Sequence, residues 1–125
     1  MQLTTAVRNS ILSAISTALG AGGTLKVYTG SSPGVGSAAT GTLLATLTSV
    51  TLGSPSSGTM SLAATADSSA SASGTPGYVR IATSGGTAIV DHTAAVGSGE
   101  FNFSGTVSLG GSVTLSSGTY TAGNA

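Results

Sequence analysis

The chain has no cysteine and no tryptophan, three prolines and one histidine, and only 5% of its 125 residues are formally charged. Each shortage excludes something. Without cysteine there is no disulfide framework and no thiolate metal site. Three cations (Arg8, Lys26, Arg80) balance three carboxylates (Asp67, Asp91, Glu100), so the net charge is zero. Three cations cannot neutralise a phosphate track, which removes nucleic acid as a direct partner. Soluble domains average about 25% charged residues, yet Val27 to Ala66 carries no formal charge at all. Intrinsic disorder pairs low hydrophobicity with high net charge, and neither condition holds. No run is long or apolar enough to cross a membrane as a helix.

Gly, Ala, Ser and Thr fill nearly two-thirds of the chain. The length fits a single domain, 1–125, large enough for its own core. The opening "MQLTTAVRNSILSAISTALGAGG" loosely imitates a signal peptide, but Ser13, Ser16 and Thr17 interrupt the apolar part. Leu3, Val7, Ile11, Ile15 and Leu19 recur every four residues. This predicts a retained amphipathic helix over 4–19 whose stripe packs on the β domain or on a neighbouring subunit. Thr4 or Thr5 suits its N-cap and Gly20 its left-handed C-terminal cap.

After "GAGG" the period changes. Leu25/Val27, the run 42–52, Met60/Leu62/Ala64, Val79/Ile81, Ala88–His92, Phe101/Phe103, Val107/Leu109 and Val113/Leu115 are short β-type runs separated by Gly, Pro and Ser. The expected fold is mainly β: over 24–125, a β-sandwich or jelly-roll-like domain of short antiparallel strands, or a barrel, preceded by the one helix. "TADSSASASGTPG", 65–77, reads as a low-complexity loop. No solenoid-type repeat is present.

Two hairpins are expected. In "YVRIATSGGTAIVDH" a two-residue turn at Gly85-Gly86 pairs Ser84 with Thr87, setting Ile81 opposite Val90, Val79 opposite His92 and Arg80 opposite Asp91. Scarce opposite charges placed face to face support that register, as an exposed cross-strand pair. In "TVSLGGSVTL" a three-residue loop at Gly110–Ser112 sets Leu109 opposite Val113 and Val107 opposite Leu115.

The sequence carries no catalytic, cofactor-binding or metal-ligating constellation. His92 follows Asp91 directly, but neighbours on a strand point to opposite faces and cannot form a dyad. No serine sits in a G-x-S-x-G elbow. Asp67, Asp91 and Glu100 fall in different elements, which fits neither a glycosidase pair nor a calcium cage. "GVGSAATG", 34–41, is glycine-rich but lacks the lysine of a phosphate loop and reads as an Ω-type loop. "NFS" at Asn102 matches a glycosylation sequon, meaningful only in a secretory setting. The chain reads as a non-enzyme.

Sheet edges are normally guarded by Lys, Pro or bulges. Neither 42–52 nor 101–125 holds a charge. The expectation is that partner subunits cover those edges in a large assembly, with the protein a homo-oligomer.

The opening "MQLTTAVRNSILSAISTALGAGGTLKVYTGSSP", followed by "GTLLATLT", resembles small proteins encoded among the virion genes of tailed bacteriophages. The shared plan is a starting helix, an "L-x-V-Y-T-G-x-x-P"-like strand and turn, then a short-strand β domain, and it covers the first fifty or so residues. The resemblance implies a virion structural protein and transfers no catalytic residue. The placement it favours is a capsid decoration (cement) protein on the capsid exterior, an oligomer (a trimer preferred) bound to the major capsid protein or other virion subunits. The alternatives are a tail, collar or fibre-associated component and, from another class, a carbohydrate-binding or adhesin module, for which five aromatics (Phe101, Phe103, Tyr28, Tyr78 and Tyr120) and no tryptophan are few.

Overall fold

The computed structural model describes residues 2–96, 101–103 and 106–122. Met1 and Glu100 lie outside the described residues, as does the third position of the "NFS" sequon. Among the described residues one helix, α1 (Thr5–Leu19), precedes seven strands: β1 (Gly23–Tyr28), β2 (Leu43–Leu52), β3 (Thr59–Thr65), β4 (Tyr78–Ala82), β5 (Ala88–Val96), β6 (Phe101–Phe103) and β7 (Leu115–Thr121). The protein is mainly β with one N-terminal helix, as its periodicity indicates. The strands join in one ring, β1-β2-β3-β7-β6-β5-β4, which β4 closes by pairing with β1. All pairings are antiparallel except that of β5 with β6.

Ring closure removes the open edges for which the uncharged strands would otherwise need partners. β2 is hydrogen-bonded on one side to β1 and on the other to β3, and β7 lies between β3 and β6. A closed barrel has no free ladder to guard, so Lys and Pro can be absent from its strands without inviting stray pairing. The accessible surface of 6007 Å² is also that of a free-standing monomer of this mass, for which scaling gives about 5,900 Å².

Alternation along the strands builds the interior. Leu25 and Val27 of β1, Met60 and Leu62 of β3, and Val79 and Ile81 of β4 are buried and face inward. β2 is long enough to bend around the barrel. Ser49 adopts a left-handed backbone (φ 51°), and the register of β2 slips by one residue there against both neighbours. Such a bulge concentrates twist where a long strand must curve.

The helix closes one rim. β1, β3 and β5 begin, and β2, β4 and β7 end, at the same end of the ring. There Arg8 donates from Nε to the Ala122 carbonyl (2.8 Å), and the Gly58 N–H donates to Asn9 Oδ1 (3.0 Å). At the other end of α1, Leu19 abuts Gly23. Thr4 caps the start by accepting from the Val7 N–H, and Gly20, at φ 68°, turns the chain into β1. The buried face differs from the expected stripe: Leu12 and Leu19 are sealed, Ile15 is half-buried, and Val7 and Ile11 are each 45% exposed. Strict four-residue spacing advances about 40° per step at 3.6 residues per turn, so five such positions wind about 160° around the helix. Leu12, Ile15 and Leu19 alternate threes and fours and hold one face.

Both hairpin expectations meet corrections. The β4–β5 register is as read, with Arg80 opposite Asp91, Val79 opposite His92 and Ile81 opposite Val90. Its turn is different. Thr83 and Thr87 close a three-residue loop, with Gly86 at φ 92° donating to the Thr83 carbonyl, and a slip between Ile81 and Ala82 restores the register. Left-handed Gly86 is what a type I turn with its bulge requires. The second expected hairpin does not form. Val107 bridges Gly74 and Val113 bridges Asp67, so 107–113 pairs with the low-complexity segment 65–77. That segment is structured: Ser71 donates to the Leu44 carbonyl, Ala70 exchanges bonds with Gly110 and Gly111, and Ala70, Val107 and Val113 are buried in the same cluster as Leu44.

Candidate functional site

Charge is scarce, and Arg8, Asp67, Arg80 and Asp91 each mark a place where one chain segment is held to another. Arg80 stands in the middle of β4, every residue of which is buried. Its neighbour across one ladder is Lys26 and across the other is Asp91. The Asp91 carboxylate takes Arg80 Nε on Oδ1 (2.8 Å) and Nη2 on Oδ2 (2.9 Å), a two-pronged pair whose side chains are 7% and 10% exposed respectively. The rest of the guanidinium faces the 29–42 segment, where Nη1 donates to the Ser37 carbonyl (2.8 Å) and Nη2 to that of Gly34 (3.0 Å). Ser32 donates its hydroxyl to Asp91 Oδ2 and accepts from the Gly34 N–H. This is a correction: the pair expected at the surface is buried under an overlying loop.

Two tyrosines complete the clasp. Tyr28 and Tyr78 pair across β1 and β4 and stack with ring centroids 5.1 Å apart. The Tyr78 hydroxyl donates to the Thr40 carbonyl (2.8 Å) and accepts from the Thr40 N–H (3.1 Å), fastening the far end of the same segment. The electrostatics follow the contacts. The hydrogen bonds from Arg80 hold the Asp91 carboxyl below its ordinary value of 3.8, against the opposing effect of burial. Asp91 in turn pushes Arg80 up, and burial raises Tyr28. Lys26 opposite Arg80 is a like-charge pair, normally unfavourable; Asp91 on the other side neutralises Arg80.

The remaining sequence candidates are scattered. Asp67 accepts from the Thr46 N–H on Oδ2 (2.9 Å) and from the Ser69 N–H on Oδ1 (3.0 Å), tying the start of 65–77 to β2. His92 shares its face with Val79, away from Asp91, and its ring meets Tyr120 edge-on at 4.5 Å. The 34–41 segment supplies carbonyls to a cation, the reverse of a phosphate cradle. Asn102 lies in β6. Among the described residues no group of three or more His, Asp or Glu side chains converges to hold a metal, and no helix is long and apolar enough to cross a membrane.

A cleft of about 300 Å³ opens between the last turn of α1 and the lower half of β2, lined by Ser16, Gly20, Ala21, Gly22 and Ser49 to Leu52. Its lining offers hydroxyls and backbone groups and no ionisable side chain, so it holds no general acid or base. Among the described residues the exposed large apolar side chains are Val7 and Ile11 on the helix, Val35 on the clasped loop and Leu109 at the tip of the 107–113 turn.

The sequence reading missed Ser32, Ser37 and Thr40 as partners of the clasp. The signal was present in "SSPG": a serine two residues before a glycine, around a proline, marks a tight hydroxyl-stabilised turn. No protein-family model, no curated protein and no solved structure matches the chain.

Proposed function

We propose that the protein is a non-enzymatic structural subunit of a tailed-phage virion, and within it a decoration or cement protein seated on the outside of the capsid shell. The observation that carries this reading is where the charge goes. Arg80, Asp91, Asp67 and Arg8 are all engaged in fastening one chain segment to another. The surface left for contact is nearly neutral and presents Val7, Ile11, Val35 and Leu109. Such a surface suits permanent attachment through apolar and hydrogen-bonded contact. The likeness of the first fifty residues to phage virion proteins supports the same reading.

A barrel without a free ladder attaches through its loops, helix and outer face, since strand exchange requires breaking a formed pairing. On the shell it ties neighbouring capsomers by added buried surface. The test is its copy number in purified particles. A number comparable with that of the major shell protein supports the shell placement, a handful of copies points to the tail, and absence from particles overturns the proposal.

A further inference from the structure

We infer that residues 30–41 form a lid that opens as one unit while the barrel beneath it stays folded. Thr29 and Thr42 close the neck of this loop. The Thr29 N–H donates to the Thr42 carbonyl (3.1 Å), and the Thr42 N–H donates to Thr29 Oγ1 (3.0 Å). Just inside the neck stand Gly30 and Gly41, both left-handed, at φ 81° and 79°. A loop of this size with its ends tied together is an Ω-loop, and a glycine at each end gives it two hinges.

The lid contributes no side chain to the core. Every residue from 30 to 42 is exposed, Val35 included at 42%. Its ties to the barrel come instead from three side chains on β4 and β5. Asp91 accepts from Ser32, Arg80 donates to the Gly34 and Ser37 carbonyls, and Tyr78 exchanges hydrogen bonds with Thr40.

These ties are built to break together. Gly34 and Ser37 hang on one guanidinium, and Ser32 hangs on the carboxylate that fixes it. Tyr78 lies two residues from Arg80, on the same face of β4. Opening also strands no buried group. Arg80 and Asp91 both belong to the barrel, so they stay paired and gain water where the lid carbonyls were. Segments held by polar contacts, without an apolar anchor, open well below the free energy of global unfolding.

What the lid hides is charge. Lys26, Arg80 and Asp91 stand in one row across β1, β4 and β5, three of the six formally charged residues of the chain. With the lid closed, Arg80 is 8% exposed and Tyr78 1%. Lifting it bares the outer edge of the guanidinium and the tyrosine hydroxyl. The chain therefore has a nearly neutral closed surface and an open one with an accessible cation. This inference stands apart from the virion reading, because it concerns the purified chain alone.

Amide exchange followed by NMR on the full chain tests it. In the unaltered protein the Gly34, Ser37 and Thr40 amides should exchange through one shared opening that leaves the amides of β1 and β4 protected. Two substitutions are then read at the opposite end of the lid from the bond they remove. Tyr78→Phe deletes the hydroxyl that holds Thr40 and is read at Gly34 and Ser37. Ser32→Ala deletes the hydroxyl on Asp91 and is read at Thr40. Each should speed exchange at its distant reporter severalfold, with β1 and β4 unchanged. Acceleration confined to the residue that lost its bond would mean piecewise fraying and overturn the proposal. Lid amides that exchange only in step with those of β1 and β4 would overturn it equally.

Discussion

Arg80 and Asp91 face each other directly across β4 and β5 and meet through two parallel hydrogen bonds, Nε to Oδ1 and Nη2 to Oδ2. The pair is the floor on which the 29–42 segment rests.

Removing one member leaves a buried, unpaired charge. Asp91→Ala should cost about 3 kcal/mol or more in chemical denaturation and speed proteolysis within 30–41. Arg80→Met combined with Asp91→Ala should recover part of the loss, because no stranded guanidinium remains. A change within about 0.5 kcal/mol for Asp91→Ala alone, the range of ordinary surface substitutions, would show that the clasp contributes nothing.

Asp91 also sets a pH limit. Its folded pKa is depressed below 3.8, so its contribution is fully present above that value and disappears as pH falls through the lower folded one. Stability from this pair should be flat from neutral to mildly acidic pH and decline only below about pH 4. Asp91→Asn should lack that share of the acid decline. Denaturant midpoints measured across this range for both proteins give the comparison.

The helix supplies a matched pair of substitutions. Leu12 is 1% exposed and Ile11 45%. Leu12→Ala should cost about 2–5 kcal/mol, whereas Ile11→Asp should cost under about 1 kcal/mol and leave a folded chain. Thermal melts of the two proteins separate them. Reversed sensitivity would mean that α1 sits on the barrel by its other face.

Gly77 packs directly against the backbone of Gly30. A methyl group there would collide with the backbone of Gly30, while at Gly36 it would meet nothing within 4 Å. The Gly77 N–H also donates to the Tyr28 carbonyl (2.8 Å), so the chain has little room to withdraw. Gly77→Ala should destabilise by about 1–3 kcal/mol and Gly36→Ala by almost nothing, as read from denaturant midpoints.

The β4–β5 register is legible because opposite charges are so rare here that one pairing stands out. The depth of that pair is not, since burial comes from Ser32 to Thr40, a stretch with no apolar pattern to announce that it folds back. The helix is legible in extent, and its face is misread because four-residue spacing precesses. The pairing of 65–77 with 107–113 leaves no trace in the sequence. Both partners are built largely of Ser, Ala, Gly and Thr, whose side chains are too small to print a two-residue alternation. β7, "LSSGTYT", is hidden for the same reason, with Leu115 and Tyr120 its only large apolar residues. Ring closure, which decides whether the uncharged strands need partners, depends on the elements that are hardest to read.

The order in which the ring is joined has a consequence for synthesis. β3 obtains its second neighbour only from β7, the last of the described strands in chain order, through Thr59 with Thr121 and Met60 with Tyr120. Pairings this distant in sequence are slow to form. While the chain is emerging, β3 has an uncharged open side, with no lysine or proline to turn away another nascent copy. Production of this protein should therefore be limited by crowding of unfinished chains more than by weakness of the finished one, and slower or cooler expression should raise the soluble yield.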